Sequence, residues 1–185
     1  LVGDFCLDRY LEIDPARAET SIETGLPVHN VVRVRSQPGG AGTILNNLAA
    51  LGVGVIHPVG FCGEDGEGYE LQRAIAQVAG VRGNLLVTPQ RRTFTYCKPL
   101  VVRPGKFPVD GNRLDSKNWT ATPPPVEAAL AASLAPPADP PQALIVLDQV
   151  DVPETGVVTR GMLAALRDRA AAQPRLRILG DSRRG

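Results

Sequence analysis

The chain has 185 residues, 43% of them hydrophobic, with 20 Lys and Arg against 19 Asp and Glu. That is enough for one domain with a real core, and it argues against disorder. The balanced charge gives no global field for nucleic acid or a membrane surface, no apolar run approaches a membrane span, and nothing resembles a signal peptide.

In chain order, Leu1-Val2 leading into Gly3-Asp4 reads as the end of a buried strand. Val31 to Arg35 alternates apolar and basic residues, as a strand with one wet face does. Pro38-Gly39-Gly40 breaks it, and a helix is predicted from about Ala41 to Leu51, stopped by Gly52. Val53 to Val59 reads as an apolar strand. Asp65 opens a helix with Leu71, Ile75 and Val78 inward, ending before Gly80. Leu85 to Val87 is a short strand, Thr93 to Val102 a longer one, and Asn112 to Asp115 continues or pairs with it. Between the proline-rich ends of Thr122 to Pro141, the alanine-rich Val126 to Ala135 reads as a short helix between stiff connectors. Ala143 to Leu147 is a strand ending in Asp148. Thr155 to Ala172 is a helix with Met162, Leu163 and Leu166 inward, and Leu176 to Leu179 is a strand ending in Gly180-Asp181.

Strands alternating with helices predict a parallel α/β sheet. The amphipathic stretches Arg9 to Ile13, Val31 to Arg35 and Thr93 to Val102 do not fit a sheet buried on both faces, and suit a small accessory sheet. The chain opens inside a strand and stops at Gly185 just after one, where a parallel sheet calls for a covering helix. It therefore reads as a fragment, or as the ordered part of a longer chain. Cys6, Cys62 and Cys97 are odd in number and form no C-x-x-C pair, which suits a reducing cytosol. His29 and His57 have no Cys/His neighbours at ligand spacing, so no structural zinc is expected.

In open α/β sheets ligands sit beyond the carboxyl ends of the strands. Asp4, Asp8, Asp148 and Asp181 are predicted there, either as one polar site or as separate turn and helix caps. The block Pro38 to Gly52 places glycines before a helix start, where backbone can approach a ligand closely. On the helical wheel Ile44, Leu48 and Leu51 form an apolar stripe, while Thr43, Asn46 and Asn47 share a polar arc. That arc suits a polyhydroxylated ligand, or is simply the wet face of a capped helix. Gly63 to Gly68 carries Glu64, Asp65 and Glu67, which would repel a phosphate, so it reads as a turn and helix cap. No P-loop and no strand-linked G-x-G-x-x-G occurs, which disfavours a dinucleotide-dependent oxidoreductase.

Taken together, these motifs resemble the PfkB/ribokinase-like carbohydrate kinases, particularly the kinases of heptose phosphates. Gly3 to Tyr10 is similar to that family's G-D-x-x-x-D-R-Y, and Ser21 to Val28 to its S-x-E-x-x-x-P-V loop. Gly39 to Gly52 resembles G-G-A-A-N-V-A-x-N-I-A-x-L-G, and Val59 to Gly68 resembles V-G-x-x-G-x-D-x-x-G. Thr93 to Leu100 with Asn112 to Asp115 is similar to a lid strand T-x-x-K followed by R-x-D. Asp148 stands where a strand-end aspartate is expected, and Asp181-Ser182-Arg183 is similar to D-P-K. Two departures stand out. Thr43 replaces the asparagine of G-G-A-A-N, with Asn46 one turn along. Asp148-Gln149-Val150-Asp151 replaces D-Y-x-K-G, removing a lysine.

The resemblance implies a ribokinase-like three-layer αβα fold with a parallel sheet and a small β-sheet lid, the C-terminal part being absent. Residues 1–185 would be the N-terminal part of the kinase domain, with lid strands at about 9–35 and 93–115 inserted into the α/β core. The activity implied is ATP-dependent phosphoryl transfer to a hydroxyl of a sugar or sugar phosphate. Asp8, Gly39, Gly40 and Asn47 would hold sugar hydroxyls, with Thr43 and Asp148 also lining the substrate site. Lys98 and Arg113 would face the sugar or its phosphate, or are solvated strand charges. Asp181 would sit toward the nucleotide phosphates and Mg²⁺. The family's G-A-G-D, which carries the general base, occurs nowhere, so that base is expected beyond residue 185 and the chain alone is expected to be inactive. Expected partners are a small-molecule sugar or sugar phosphate and a second copy through the lid, with no nucleic acid and no membrane, in the cytoplasm. The rival is a non-catalytic sugar-binding or dimerising module on the same fold.

Overall fold

The computed structural model describes residues 1–135 and 140–184; Pro136 to Asp139 of the second proline connector, and Gly185, lie outside the described residues. The strands are β1 (Val2–Gly3), β2 (Phe5–Ile13), β3 (Glu19–Thr20), β4 (Pro27–Val28), β5 (Val31–Gly40), β6 (Phe61–Gly63), β7 (Leu86–Thr88), β8 (Phe94–Val101), β9 (Val109–Asp110), β10 (Leu114–Ser116), β11 (Ala143–Asp148) and β12 (Arg177–Ser182). The helices are α1 (Ala41–Ala50), α2 (Gly66–Ala76), α3 (Pro124–Ala132) and α4 (Arg160–Ala172).

β1, β11 and β12 form a parallel ladder in that order. A parallel Val2–Val59 bridge joins this ladder to the segment leading into β6, which pairs in parallel with β7. β11 is apolar from Ala143 to Leu147 because both its faces are covered. Leu144 and Val146 pack in one cluster with Val126 and Leu130 of α3 and Met162 and Leu166 of α4. Leu147, with Ile145 packed alongside, joins the other cluster with Leu45 of α1 and Leu71 and Ile75 of α2. Helices therefore cover the parallel sheet on both sides, giving a three-layer αβα arrangement.

The chain leaves this sheet at Asp4 and enters a second one. There β2 pairs antiparallel with β5 and parallel with β8, and β8 pairs antiparallel with β9 and β10. The second sheet is separate from the parallel one, and only Asp4 lies between β1 of the first and β2 of the second. It is anchored by Glu70 of α2, which accepts from Arg9 Nη2 at 2.8 Å and from Ser36 Oγ at 2.6 Å. A small β3–β4 ribbon links β2 to β5.

Five expectations need correction. Pro38-Gly39-Gly40 does not break the strand begun at Val31; β5 runs through all three to Gly40, paired with Leu7, Cys6 and Phe5. Val53 to Val59 is not a continuous strand; only Ile56 and Val59 make bridges, because Gly54 and Pro58 interrupt the ladder, and the regular strand begins at Phe61. The last long helix starts at Arg160, not Thr155, since Thr159 takes the N-cap position and accepts from Met162 N at 3.1 Å. Within it Leu163 is 40% exposed, so Met162 and Leu166 alone of the three are buried. On α1 the inward residues centre on Leu45, while Leu51 is 81% exposed at the C-cap; the wheel was turned by about one position.

Candidate functional site

Asp8 lies in β2, shortly after the chain leaves the parallel sheet at Asp4. Side chains alternate along a strand, so Cys6, Asp8 and Tyr10 share one face. Register pairs Asp8 with Tyr96 of β8 and Tyr10 with Lys98, and pairs Cys6 with Gly39 of β5. Lys98 Nζ donates to Asp8 Oδ1 at 2.9 Å and to Tyr10 Oη at 3.4 Å, and lies 4.9 Å from the Tyr10 ring centroid. Burial pulls the Lys98 pKa down, but its bonds to Asp8 and Tyr10 outweigh that and leave it raised.

The two glycines explain how the carboxylate fits. A Cβ on Gly39 would lie 2.8 Å from Asp8 Oδ2 and 2.9 Å from Cys6 Sγ. Gly40 has φ 57°, and a Cβ there would lie 2.5 Å from the Asp4 carbonyl oxygen. That carbonyl accepts from Ala41 N at 3.0 Å, satisfying one of the open N–H groups at the start of α1. The glycines thus bring the helix start down against Asp4 and leave the Asp8 carboxylate room beside the backbone. Thr43 and Asn47 are both exposed on α1, one turn apart.

Arg113 makes a two-pronged pair with Asp115, at 2.9 and 2.7 Å, and lies 4.9 Å from the Tyr96 ring centroid. Lys117 Nζ pairs with Asp151 Oδ2 at 2.8 Å and reaches Asp115 at 4.0 Å, while Arg183 approaches Asp151 at 3.6 Å. An alternating row of charges therefore runs from Arg113 through Asp115, Lys117 and Asp151 to Arg183. It crosses from β10 to the loops after β11 and β12.

The four strand-end acids divide. Asp4 is 2% exposed, and its carboxylate accepts from Val157 N at 2.7 Å and Gln149 N at 2.8 Å, so it fixes the loop after β11 and does not face a ligand. Burial raises its pKa to about 6. Asp148 is buried; its Oδ2 accepts from Arg184 Nη2 and from Ser182 Oγ at 3.1 Å, and its Oδ1 has no hydrogen-bond partner. Asp181 lies within β12, which continues to Ser182, and is exposed. Asp8 is the acid set against the glycines. Tyr10 and Tyr96 were missed as site residues, although the β8 alternation puts Tyr96 on the face of Lys98. Lys117 lies beyond the strand, and no local pattern signals its reach to Asp151. Among the described residues no group of three or more His, Cys, Asp and Glu could hold a metal ion, and no helix is long and apolar enough to cross a membrane.

Solved structures decide the fold. Phosphofructokinase-2 from Escherichia coli in complex with fructose-6-phosphate superimposes on 98% of this chain with a TM-score of 0.59 at 16% identity, the chain covering 53% of it. The fold is ribokinase-like. Ribokinase from Cryptococcus neoformans in complex with ADP matches 99% of the chain, at TM-score 0.54 and 14% identity, over 48% of its own length. In sequence, the Bifunctional protein HldE of Methylococcus capsulatus is 40% identical over 95 residues, 51% of this chain and 19% of that protein. HldE of Gluconacetobacter diazotrophicus is 32% identical over 133 residues, 72% of this chain and 26% of that protein. The ribokinase-like chain thus spans about half of these structural neighbours and about a fifth to a quarter of the HldE proteins. No protein-family model matches it. Its relatives by sequence are HldE proteins, and its structural neighbours are ribokinase/PfkB-type carbohydrate kinases.

Proposed function

We propose that the chain is the sugar-binding part of an ATP-dependent sugar or sugar-phosphate kinase, with the second sheet as its lid. The observation that carries this reading is the Asp8–Lys98 pair with the Asp8 carboxylate against Gly39, next to the glycine that caps the start of α1. A carboxylate acceptor beside an ammonium donor, with backbone held close by glycines, is suited to adjacent hydroxyls. Thr43 and Asn47 on α1, and Asp148 at the end of β11, extend the polar lining. Arg113 faces the sugar or its phosphate.

In this reading the pocket positions the acceptor hydroxyl for attack on the γ-phosphoryl group, and catalysis comes from positioning and charge stabilisation. Mg²⁺ would neutralise the phosphate charge when bound, and the exposed Asp181 is the residue of this chain suited to face it. The general base lies outside residues 1–185, in the remaining half that the structural neighbours possess. The protein works in the cytoplasm and dimerises through the lid. The test is ATP turnover with a panel of hexoses, heptoses and their monophosphates, comparing this chain with the full-length protein that contains it. Sugar-dependent ADP release is expected from the longer protein and not from the chain alone. A comparable rate from the chain alone would place the base among residues 1–185, and no sugar-dependent release from either would remove the kinase reading.

A further inference from the structure

Trp119 is the single tryptophan of the chain and is 71% exposed, yet it does not sit on a loose loop. The residue before it is clamped on both sides: Asn118 Oδ1 accepts from Arg92 N at 3.0 Å and Asn118 Nδ2 donates to Arg92 O at 2.9 Å. The residue after it, Thr120, accepts from the Arg91 guanidinium at Oγ1 and at its carbonyl. The indole is therefore presented by a fixed backbone. It lines a small cleft with Tyr96, Lys117, Asp151 and Val152. Tyr96 pairs in register with Asp8, so this cleft opens on the same face of the second sheet as the Asp8–Lys98 pair, one strand away from it.

We propose that Trp119, with the Lys117–Asp151 pair, forms an outer subsite that binds the part of the sugar extending past Asp8, stacked on the indole and determining which acceptors fit. This rests on the sugar-site reading above and names the residue that sets its specificity. An aromatic face offers apolar contact to the C–H face of a saturated hydroxylated ring or chain, while a neighbouring carboxylate and ammonium accept from and donate to its hydroxyls. Asp151 is suited to this role because it lines the cleft with its side chain 49% exposed, held by Lys117 at 2.8 Å and met by Arg183 only at 3.6 Å. Tyr96, packed under Arg113 and Lys117, forms the floor between the two subsites.

The single tryptophan makes the test direct. The chain is titrated with hexoses, heptoses and their monophosphates, following Trp119 emission and, in parallel, heat of binding, for the wild type, Trp119→Ala, Trp119→Phe and Asp8→Asn. Expected are a blue shift of emission that saturates with the heat, affinity about tenfold weaker in Trp119→Ala, and affinity largely retained in Trp119→Phe. Its exposure means Trp119→Ala should fold, which the melting temperature checks. If a sugar binds and Asp8→Asn abolishes it, but Trp119→Ala binds as tightly as the wild type, the outer subsite is overturned while the sugar site stands, whatever the emission does. If no sugar in the panel binds, both readings fall.

Discussion

At the residue scale, the carboxylates show how one side-chain type takes different roles from its surroundings. Asp8 is set against Gly39 beside an ammonium, whereas Asp4 is buried under two backbone N–H groups. Burial raises Asp4 from 3.8 to about 6, against the bonds from Val157 and Gln149, with Asp148 nearby adding to the rise. The folded state therefore holds this proton more tightly than the unfolded chain does. Its stabilisation is complete below about pH 3.8 and fades as pH rises through 6. Asp4→Asn lacks this titration, so the gap in melting temperature between wild type and variant should shrink from pH 4 to pH 7 by the equivalent of about 3 kcal/mol. Thermal melts of both proteins across that range check it, and a constant gap would contradict it. Gly39→Ala tests the other acid. Its Cβ must displace the Asp8 carboxylate, so sugar affinity should fall about tenfold or more while the melting temperature drops only modestly. Sequence alone placed Asp8 and the glycines together through their motif order, but not the separation of Asp4 from Asp8. That separation depends on the chain passing from one sheet to the next between them.

At the element scale, the elements with strong local signals were legible and those decided by tertiary pairing were not. α2 was read from Asp65 and the Leu71–Ile75 spacing, and the structure shows Asp65 accepting from Gly68 N at 2.8 Å and Thr93 Oγ1 at 2.6 Å. β11 was read from an unbroken apolar run, which two covering layers require. By contrast, Val53 to Val59 is apolar but half exposed at Val53 and Val55, and composition could not show that its ladder is broken. The start of α4 was misplaced because Thr155, Val157 and Val158 are buried as loop, not helix. The true cap, Thr159, donates to Glu127 Oε1 of α3 at 2.7 Å and accepts from Met162 N. It therefore both starts α4 and ties it to α3. Thr159→Ala should cost about 1–2 kcal/mol, while Thr159→Ser should recover most of that. Urea denaturation of the two variants is the check, and equal losses would show that the hydroxyl is not what matters.

At the scale of the whole molecule, the second sheet has two unlike faces. Asp8, Tyr10 and Lys98 line one, and the other carries Leu11 and Val34, which pair in register, and Leu114. Val34 is 47% exposed and Leu114 64% exposed, so the proposed lid dimer has an apolar face available to bury. Light scattering on the full-length protein should give twice the monomer mass, and Val34→Asp should give the monomer; a wild-type monomer would contradict the dimer. The sequence alternation in Val31 to Arg35 and Thr93 to Val102 predicts strands with one wet face, but Val31 to Arg35 is exposed throughout, on both faces of the edge strand β5. The alternation could not reveal that the chain passes through Asp4 alone from β1 of the parallel sheet into β2 of the second, a path that brings the Asp8 carboxylate against Gly39. The central claim is that the Asp8–Lys98 pair marks a sugar site, and calorimetric titration of the wild type and Asp8→Asn with hexoses, heptoses and their monophosphates tests it most directly. At least one sugar should bind the wild type saturably and bind Asp8→Asn about ten- to a hundredfold more weakly, with both proteins folded. Equal affinity for the two proteins would contradict it.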